Sequence, residues 1–345
     1  MNIQWYHNLW VYLMTGCISA SLTYVLILWS QKRHIYDLDP HGISTKSHVA
    51  TFGGIALFIS FWIGVQLLKI PMTPFMKWFA VSSSIILVTG MIDDYRPLTP
   101  FKKSIGIFLA GHLLYYYTDI QIAPYYILYR VPDWTQQLIV YLATIGWLYF
   151  LTNAVNLLDG IDGVASSVSV TSLIMLALIS LNFSVTIQPS LIQMMLLLAC
   201  AIMGFLWFNW PPASIYLGDT GSLLIGFMCA VFSVSGLKNA GFYTLLVPLL
   251  VYFIPVFDTF YALIRRFLSG DPVSKGDQEH LHHRLLYSGW RSEQIIFGLV
   301  SLTFVSGLLA SLTYTYYAYR HYILVAVIFL IIGLICWMKY LKKTK

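Results

Sequence analysis

The chain has 345 residues, of which 58% are apolar and only 10% are Asp, Glu, Lys or Arg, with a formal net charge of +6. Soluble domains carry about 25% charged residues, so at a mean hydropathy of +0.73 there is too little charge to cover the apolar surface in water. A soluble enzyme, a disordered chain, a secreted disulfide scaffold and a nucleic-acid-binding module are excluded, and the composition predicts an all-α integral membrane protein with residues 1–345 in one polytopic domain.

A membrane-crossing helix needs about 20 mostly apolar residues. Apolar runs and breakers place eleven of them near 8–30, 52–69, 75–92, 104–118, 136–152, 164–182, 191–209, 221–237, 242–264, 293–314 and 321–338. Turn formers such as Pro71-Met72-Thr73-Pro74 mark short connections, and no internal repeat or soluble domain interrupts the pattern. Lys32-Arg33 follows the first apolar run instead of preceding it, so no cleaved signal peptide is expected. Cys17, Cys200, Cys229 and Cys336 lie in apolar runs at no metal-ligand spacing and read as small packing residues.

With the N-terminus outside, fifteen Lys and Arg fall on inner segments, among them Lys32, Lys46, Lys102, Arg265, Lys275 and Lys339. Five fall outside: Lys69, Lys77, Arg130, Lys238 and Arg320. This bias satisfies the positive-inside rule and predicts an external N-terminus and a cytoplasmic C-terminus.

The same assignment gathers the polar motifs at the inner face. Asp93-Asp94 closes the third span, at the negative end of a helix dipole, where paired carboxylates call for a cation. Asn153, Asn156, Asp159 and Asp162 recur every third residue, a ladder precessing by about 60° per step. Gly160 and Gly163 predict that the helix opens there into a loop turned toward a cavity. Asp219 opens an outward-running helix, where it suits both an N-cap and a metal-phosphate site. The inner loop 265–292 carries Arg265, Arg266, Lys275, His280, His282, His283, Arg284 and Arg291, a cationic set fitted to phosphate. Asp258, beside Pro255, lies about 10 Å of helix rise before Arg265, and a functional and a packing role both stand open for it. Ionisable groups at one face differ from the mid-membrane placement of a transporter.

These stretches, in this order, resemble the polyprenyl-phosphate N-acetylhexosamine-1-phosphate transferases (glycosyltransferase family 4) of the WecA and TagO type. Phospho-MurNAc-pentapeptide translocase is a more distant relative. Gly53-Gly54 resembles the family's early glycine motif, although the preceding His48-Val49-Ala50-Thr51-Phe52 lacks the usual Pro. His280-Leu281-His282-His283 resembles the form found in GlcNAc-1-phosphate enzymes.

The resemblance implies transfer of GlcNAc-1-phosphate from UDP-GlcNAc to undecaprenyl phosphate with release of UMP, starting teichoic acid, O-antigen (lipopolysaccharide) or similar cell-envelope glycan synthesis. It implies catalytic loops on the cytoplasmic side of the bacterial plasma (inner) membrane, membrane lipid around the spans, and room for a homodimer. It implies Mg²⁺, with Mn²⁺ as an alternative, held by Asp219 first and Asp93 and Asp94 next. Catalytic roles fall to Asp93, Asp94, Asp159, Asp162, His282 and His283. Asn153, Asn156, Lys103, Tyr216, Arg265, Arg266 and His280 would bind the substrates. Asp93 or Asp94 would orient the lipid phosphate or act as nucleophile in a two-step route, and the sequence leaves both open. The alternatives are a pentapeptide or other HexNAc-1-phosphate transferase and, from another class, a nucleotide-sugar or lipid-phosphate transporter.

Overall fold

A computed structural model describes residues 8–33, 49–122, 131–182, 189–235, 243–270, 279–316 and 319–343. Lys46, Arg130, Lys238 and Lys275, and the span ends between 236 and 242, lie outside the described residues. Thirteen helices are present among those residues: α1 (Leu9–Arg33), α2 (Gly53–Leu67), α3 (Pro74–Tyr95), α4 (Pro100–Tyr117), α5 (Asp133–Leu158), α6 (Val164–Asn182), α7 (Pro189–Asn209), α8 (Gly218–Ser235), α9 (Tyr243–Val251), α10 (Phe253–Ser269), α11 (Leu281–Tyr287), α12 (Ser292–Thr315) and α13 (Arg320–Lys343). The described residues form no strand; a single parallel bridge joins Ala50 to Ile215.

Among the described residues, eight helices are long and apolar enough to cross a membrane: α1, α3, α5, α6, α7, α8, α12 and α13. The protein is an all-helical integral membrane protein. α2 is apolar but only 15 residues long. α4 spends its first turn on Lys102, Lys103 and Ser104.

Helix starts follow local chemistry. Thr73 and Thr99 each precede a Pro at the first helical position, and their hydroxyls accept the amides of Met76 and Lys102. Proline loses nothing there, because the first N–H groups of a helix have no intrahelical partner.

One expected span is two helices. The run 242–264 is interrupted at Tyr252, between α9 and α10. Pro255 has no N–H to offer the carbonyl of Val251 four residues back. That carbonyl instead accepts the Ser172 hydroxyl of α6 at 2.9 Å. The inner loop 265–292 is also more regular than expected. α10 continues to Ser269, so Arg265 and Arg266 sit on a helix, and residues 281–287 form α11.

The centre of the bundle is α8. Every residue from Thr220 to Val234 is buried, the signature of a helix apolar on all sides and enclosed by others. It packs along α2, α3 and α5. Where its N-terminal end meets α2 and α3 the backbones nearly touch. A Cβ on Gly54 would lie 2.5 Å from the Gly221 nitrogen, and one on Gly90 would lie 2.5 Å from the Thr220 Cα. A second, smaller core joins Leu158, Ile161 and Val164 to Phe257, Leu281, Leu285, Ile296 and Met338. It clamps α11 against the loop that follows α5.

Candidate active site

The N-terminus of α8 is the meeting point of α3, α4 and α5. Asp94, in the last turn of α3, accepts the Asp219 amide at 2.7 Å, the Thr220 amide at 3.1 Å and the Thr220 hydroxyl at 2.5 Å. A helix start leaves several N–H groups without partners, and here a carboxylate from another helix supplies them. The negative end of the α3 dipole thus faces the positive end of α8, so the burden expected for Asp94 at a helix C-terminus is relieved by amides. Gly218 makes this possible: its φ is +64°, and any Cβ would collide with the Asp94 carboxylate.

Asp219 is therefore not the N-cap. It is the second residue of α8, and its carboxylate is released for other partners. Lys103 of α4 pairs with Asp219 and lies 3.1 Å from Asp93 Oδ2. The other Asp93 oxygen accepts the Leu98 amide at 2.8 Å. Asn156 donates to Asp219 Oδ1 and to the Ser222 hydroxyl, both at 2.8 Å. One ammonium thus bridges carboxylates from two helices, and about a fifth of each of Lys103 and Asp219 is open to solvent. Among the described residues no group of three or more His, Cys, Asp or Glu side chains is arranged to hold a metal ion. Asp93 and Asp219 do converge on a single cation, Lys103. Two carboxylates plus substrate oxygens are the donor set Mg²⁺ accepts, so these residues fit such an ion.

The ladder at the end of α5 divides. Asn153 donates to its own helix at Tyr149 O, and Asn156 reaches Asp219. Asp159 is the C-cap of α5, with its amide bonded to Asn156 O. Asp162 accepts the Ala213 amide at 2.9 Å, tying down the segment that leads to Asp219. In that segment Tyr216 is half-buried, its amide donates to Ala50 O and its carbonyl accepts the Gly53 amide.

The histidines form a second cluster on the other side of this loop. A Cβ on Gly160 would meet His282 Nε2 and lie 3.2 Å from His283 Nε2. Asn156 and Gly160 are four residues apart, so both clusters border the end of α5. His282 is wholly buried, and that burial lowers its pKa to about 3, keeping the ring neutral. Arg265 and Arg284 are both engaged by Glu279: Arg284 Nη2 lies 2.7 Å from the carboxylate and Arg265 Nη1 3.4 Å. Arg284 also donates to Met338 O on α13 and lies over the Tyr261 ring, which makes it a tie between helices. Arg266 has partners of its own.

Sequence reasoning overlooked Thr220 and Ser222, whose hydroxyls bond to Asp94 and Asn156. Both lie in the Gly-Asp-x-Gly-Ser stretch, but small hydroxyl residues carry no signal of their partners.

Comparison with known proteins bears on this site. The family described as "Glycosyl transferase family 4" matches residues 76–237, which contain Asp93, Lys103, Asn156 and Asp219. The phospho-N-acetylmuramoyl-pentapeptide-transferase of Kosmotoga olearia is 31% identical over 295 residues, covering 80% of this chain and 87% of that protein. The chain belongs to this family, that of the polyprenyl-phosphate N-acetylhexosamine-1-phosphate transferases. The probable undecaprenyl-phosphate N-acetylglucosaminyl 1-phosphate transferase of Bacillus subtilis is 33% identical over 242 residues, 69% of this chain and 65% of that protein. The decaprenyl-phosphate N-acetylglucosaminephosphotransferase of Mycobacterium tuberculosis is 27% identical over 71% of this chain and 67% of its own length.

Close approach at the start of α8 yields a test within the family frame. Gly90→Ala is expected to push α3 from α8 and cost at least about tenfold in turnover, since displacements of about 1 Å cost about 100-fold. Gly146→Ala on α5, where a Cβ meets nothing within 4 Å, is the control expected to leave activity and melting temperature unchanged.

Proposed function

We propose that the protein transfers GlcNAc-1-phosphate from UDP-GlcNAc to undecaprenyl phosphate and releases UMP, starting a cell-envelope glycan such as teichoic acid or O-antigen. The observation that carries this reading is the Asp93–Lys103–Asp219 bridge, assembled from three helices, with Asn156 of α5 as a half-buried fourth contact. Joining two phosphate-bearing substrates is opposed chiefly by charge repulsion, and this bridge holds exchangeable charge of both signs. Asp93 and Asp219 would hold Mg²⁺, which when bound supplies shielding of the phosphate oxygens. Lys103, which pairs with both carboxylates, would be the cation available to a substrate phosphate. Asp94 keeps its amide partners and fixes the start of α8.

A lipid phosphate oxygen attacks the β-phosphorus of UDP-GlcNAc, a new phosphorus–oxygen bond forms and the bond to UMP breaks. The sugar carbon–oxygen bond is untouched, so configuration is retained. A phosphomonoester has a second pKa of about 6 and is already largely dianionic at pH 7, so a general base is not required. The proposal includes eleven spans, with α2, α4 and the interrupted α9–α10 pair added to the eight, an external N-terminus and a site at the cytoplasmic face of the bacterial plasma membrane. A homodimer is compatible with it.

A second donor, UDP-MurNAc-pentapeptide, is favoured by the longer alignment to the pentapeptide transferases. The deciding experiment measures UMP release by detergent-solubilised protein from each donor, with and without polyprenyl phosphate and Mg²⁺. Release from UDP-GlcNAc that needs both additions supports the proposal. Release only from the pentapeptide donor changes the sugar, and no release from either donor overturns both donor assignments in favour of another HexNAc nucleotide. Tyr216→Ala is expected to raise KM for UDP-GlcNAc about tenfold at nearly constant kcat, because stacking on a base contributes about 1–3 kcal/mol. A change confined to the lipid substrate would count against stacking.

A further inference from the structure

Asp258 of α10 is a buried carboxylate, 3% exposed, with no place in the chemistry above. Its Oδ1 accepts the Leu281 amide at 2.8 Å, and its Oδ2 lies 2.9 Å from His280 Nδ1 and 3.9 Å from His282 Nδ1. The His280 and His282 rings are parallel, at 6° and 5.8 Å between centroids. His280 Nε2 and both nitrogens of His282 are buried without a hydrogen-bond partner.

A buried carboxylate costs several kcal/mol unless a positive charge or strong donors face it. His282 Nδ1, at 3.9 Å, is beyond hydrogen-bond distance, so the imidazole bonded to Asp258 is that of His280, with Nδ1–H donating to the carboxylate. An unpaired buried nitrogen costs about 1–3 kcal/mol, and such atoms persist where a ligand supplies the missing partner. With Nδ1 taken, Nε2 is the remaining polar atom of the His280 ring. The second core fixes the backbone around it, since Leu281 and Leu285 pack with Leu158 and Ile161.

The geometry points to Asp258 as a positioning residue that acts through His280, taking its Nδ1 hydrogen and presenting Nε2 to the phosphate groups of the nucleotide donor. This rests on the nucleotide-sugar reading of the site and extends it to a residue outside the motif-bearing loops.

The test compares wild type, Asp258→Asn, His280→Gln and the double variant in detergent with Mg²⁺, measuring UDP affinity by calorimetry, melting temperature and donor kinetics. Asn keeps an oxygen for the Leu281 amide but turns an NH₂ toward Nδ1, reversing the ring's hydrogen. Asp258→Asn is expected to melt near wild type, to bind UDP about tenfold more weakly, and to raise KM for the donor more than it lowers kcat. The double variant is expected to bind UDP no more weakly than His280→Gln. Wild-type UDP affinity in Asp258→Asn, or losses that multiply in the double variant, would overturn the inference. Should Asp258→Asn not fold, unchanged UDP affinity in His280→Gln overturns it equally. Wild-type protein that binds no UDP removes the donor-site reading itself, an outcome visible before any variant is compared.

Discussion

Replacing Asp219 by Asn is expected to lower Mg²⁺-dependent UMP release by about 10²–10³-fold, the range for removing one preorganised group that stabilises transition-state charge. The protein should remain folded, with a melting temperature near that of wild type. Asn can keep the bond from Asn156, because its carbonyl oxygen can occupy the position of Oδ1. The α8 N-terminus is unaffected, since Asp94 and not Asp219 satisfies its amides. What disappears is one of the two negative charges that face Lys103. A metal titration read by thermal stabilisation separates the effects: Mg²⁺ should no longer raise the melting temperature of the variant. Unchanged turnover would remove Asp219 from the site.

Asp94→Ala should behave differently although it stands beside Asp93. It strips three hydrogen bonds from the start of the central helix, two of them from backbone amides. Bonds to a charged group contribute about 1.5–3 kcal/mol each, so several degrees of melting temperature should be lost together with most activity. Asp94→Asn should be intermediate, because its amide oxygen can accept from one amide while its NH₂ opposes another donor. Gly218→Ala should resemble Asp94→Ala, since its Cβ would occupy the place of the carboxylate. If Asp94→Ala lost activity while melting at the wild-type temperature, with or without Mg²⁺, its role would be chemical and the tie between α3 and α8 would be secondary. Side by side, the two variants separate a residue that handles charge from one that holds the helix carrying it.

The motif stretches were legible because their residue types are costly in an apolar chain. Asp93, Asp94, Asp159, Asp162 and Asp219 stand out against a 10% charged background, and the spans can be read from hydropathy alone. Their division of labour was not legible. The regular spacing of Asn153, Asn156, Asp159 and Asp162 suggests four groups turned toward one cavity, yet one bonds back to its own helix, one reaches Asp219, one caps α5 and one holds Ala213. Asp219 at a helix start reads as its own cap, and only the arrival of Asp94 from 125 residues earlier shows otherwise. Glu279 shows the same effect, because it occupies two arginines that charge counting assigns to phosphate.

Composition and hydropathy by themselves determined that this is a helical membrane protein, and motif order determined its family. Both are properties of local sequence: a span is recognised by the apolar character of about 20 neighbouring residues, and a motif by a few adjacent side chains. Tertiary structure decided which carboxylate faces a cation, which caps a helix and which is bonded to a histidine. Those roles depend on pairings such as Asp258–His280 across 22 residues and Asp94–Asp219 across 125, and a buried charge takes its role from whichever opposite charge or donor the packing of other helices brings within about 3 Å.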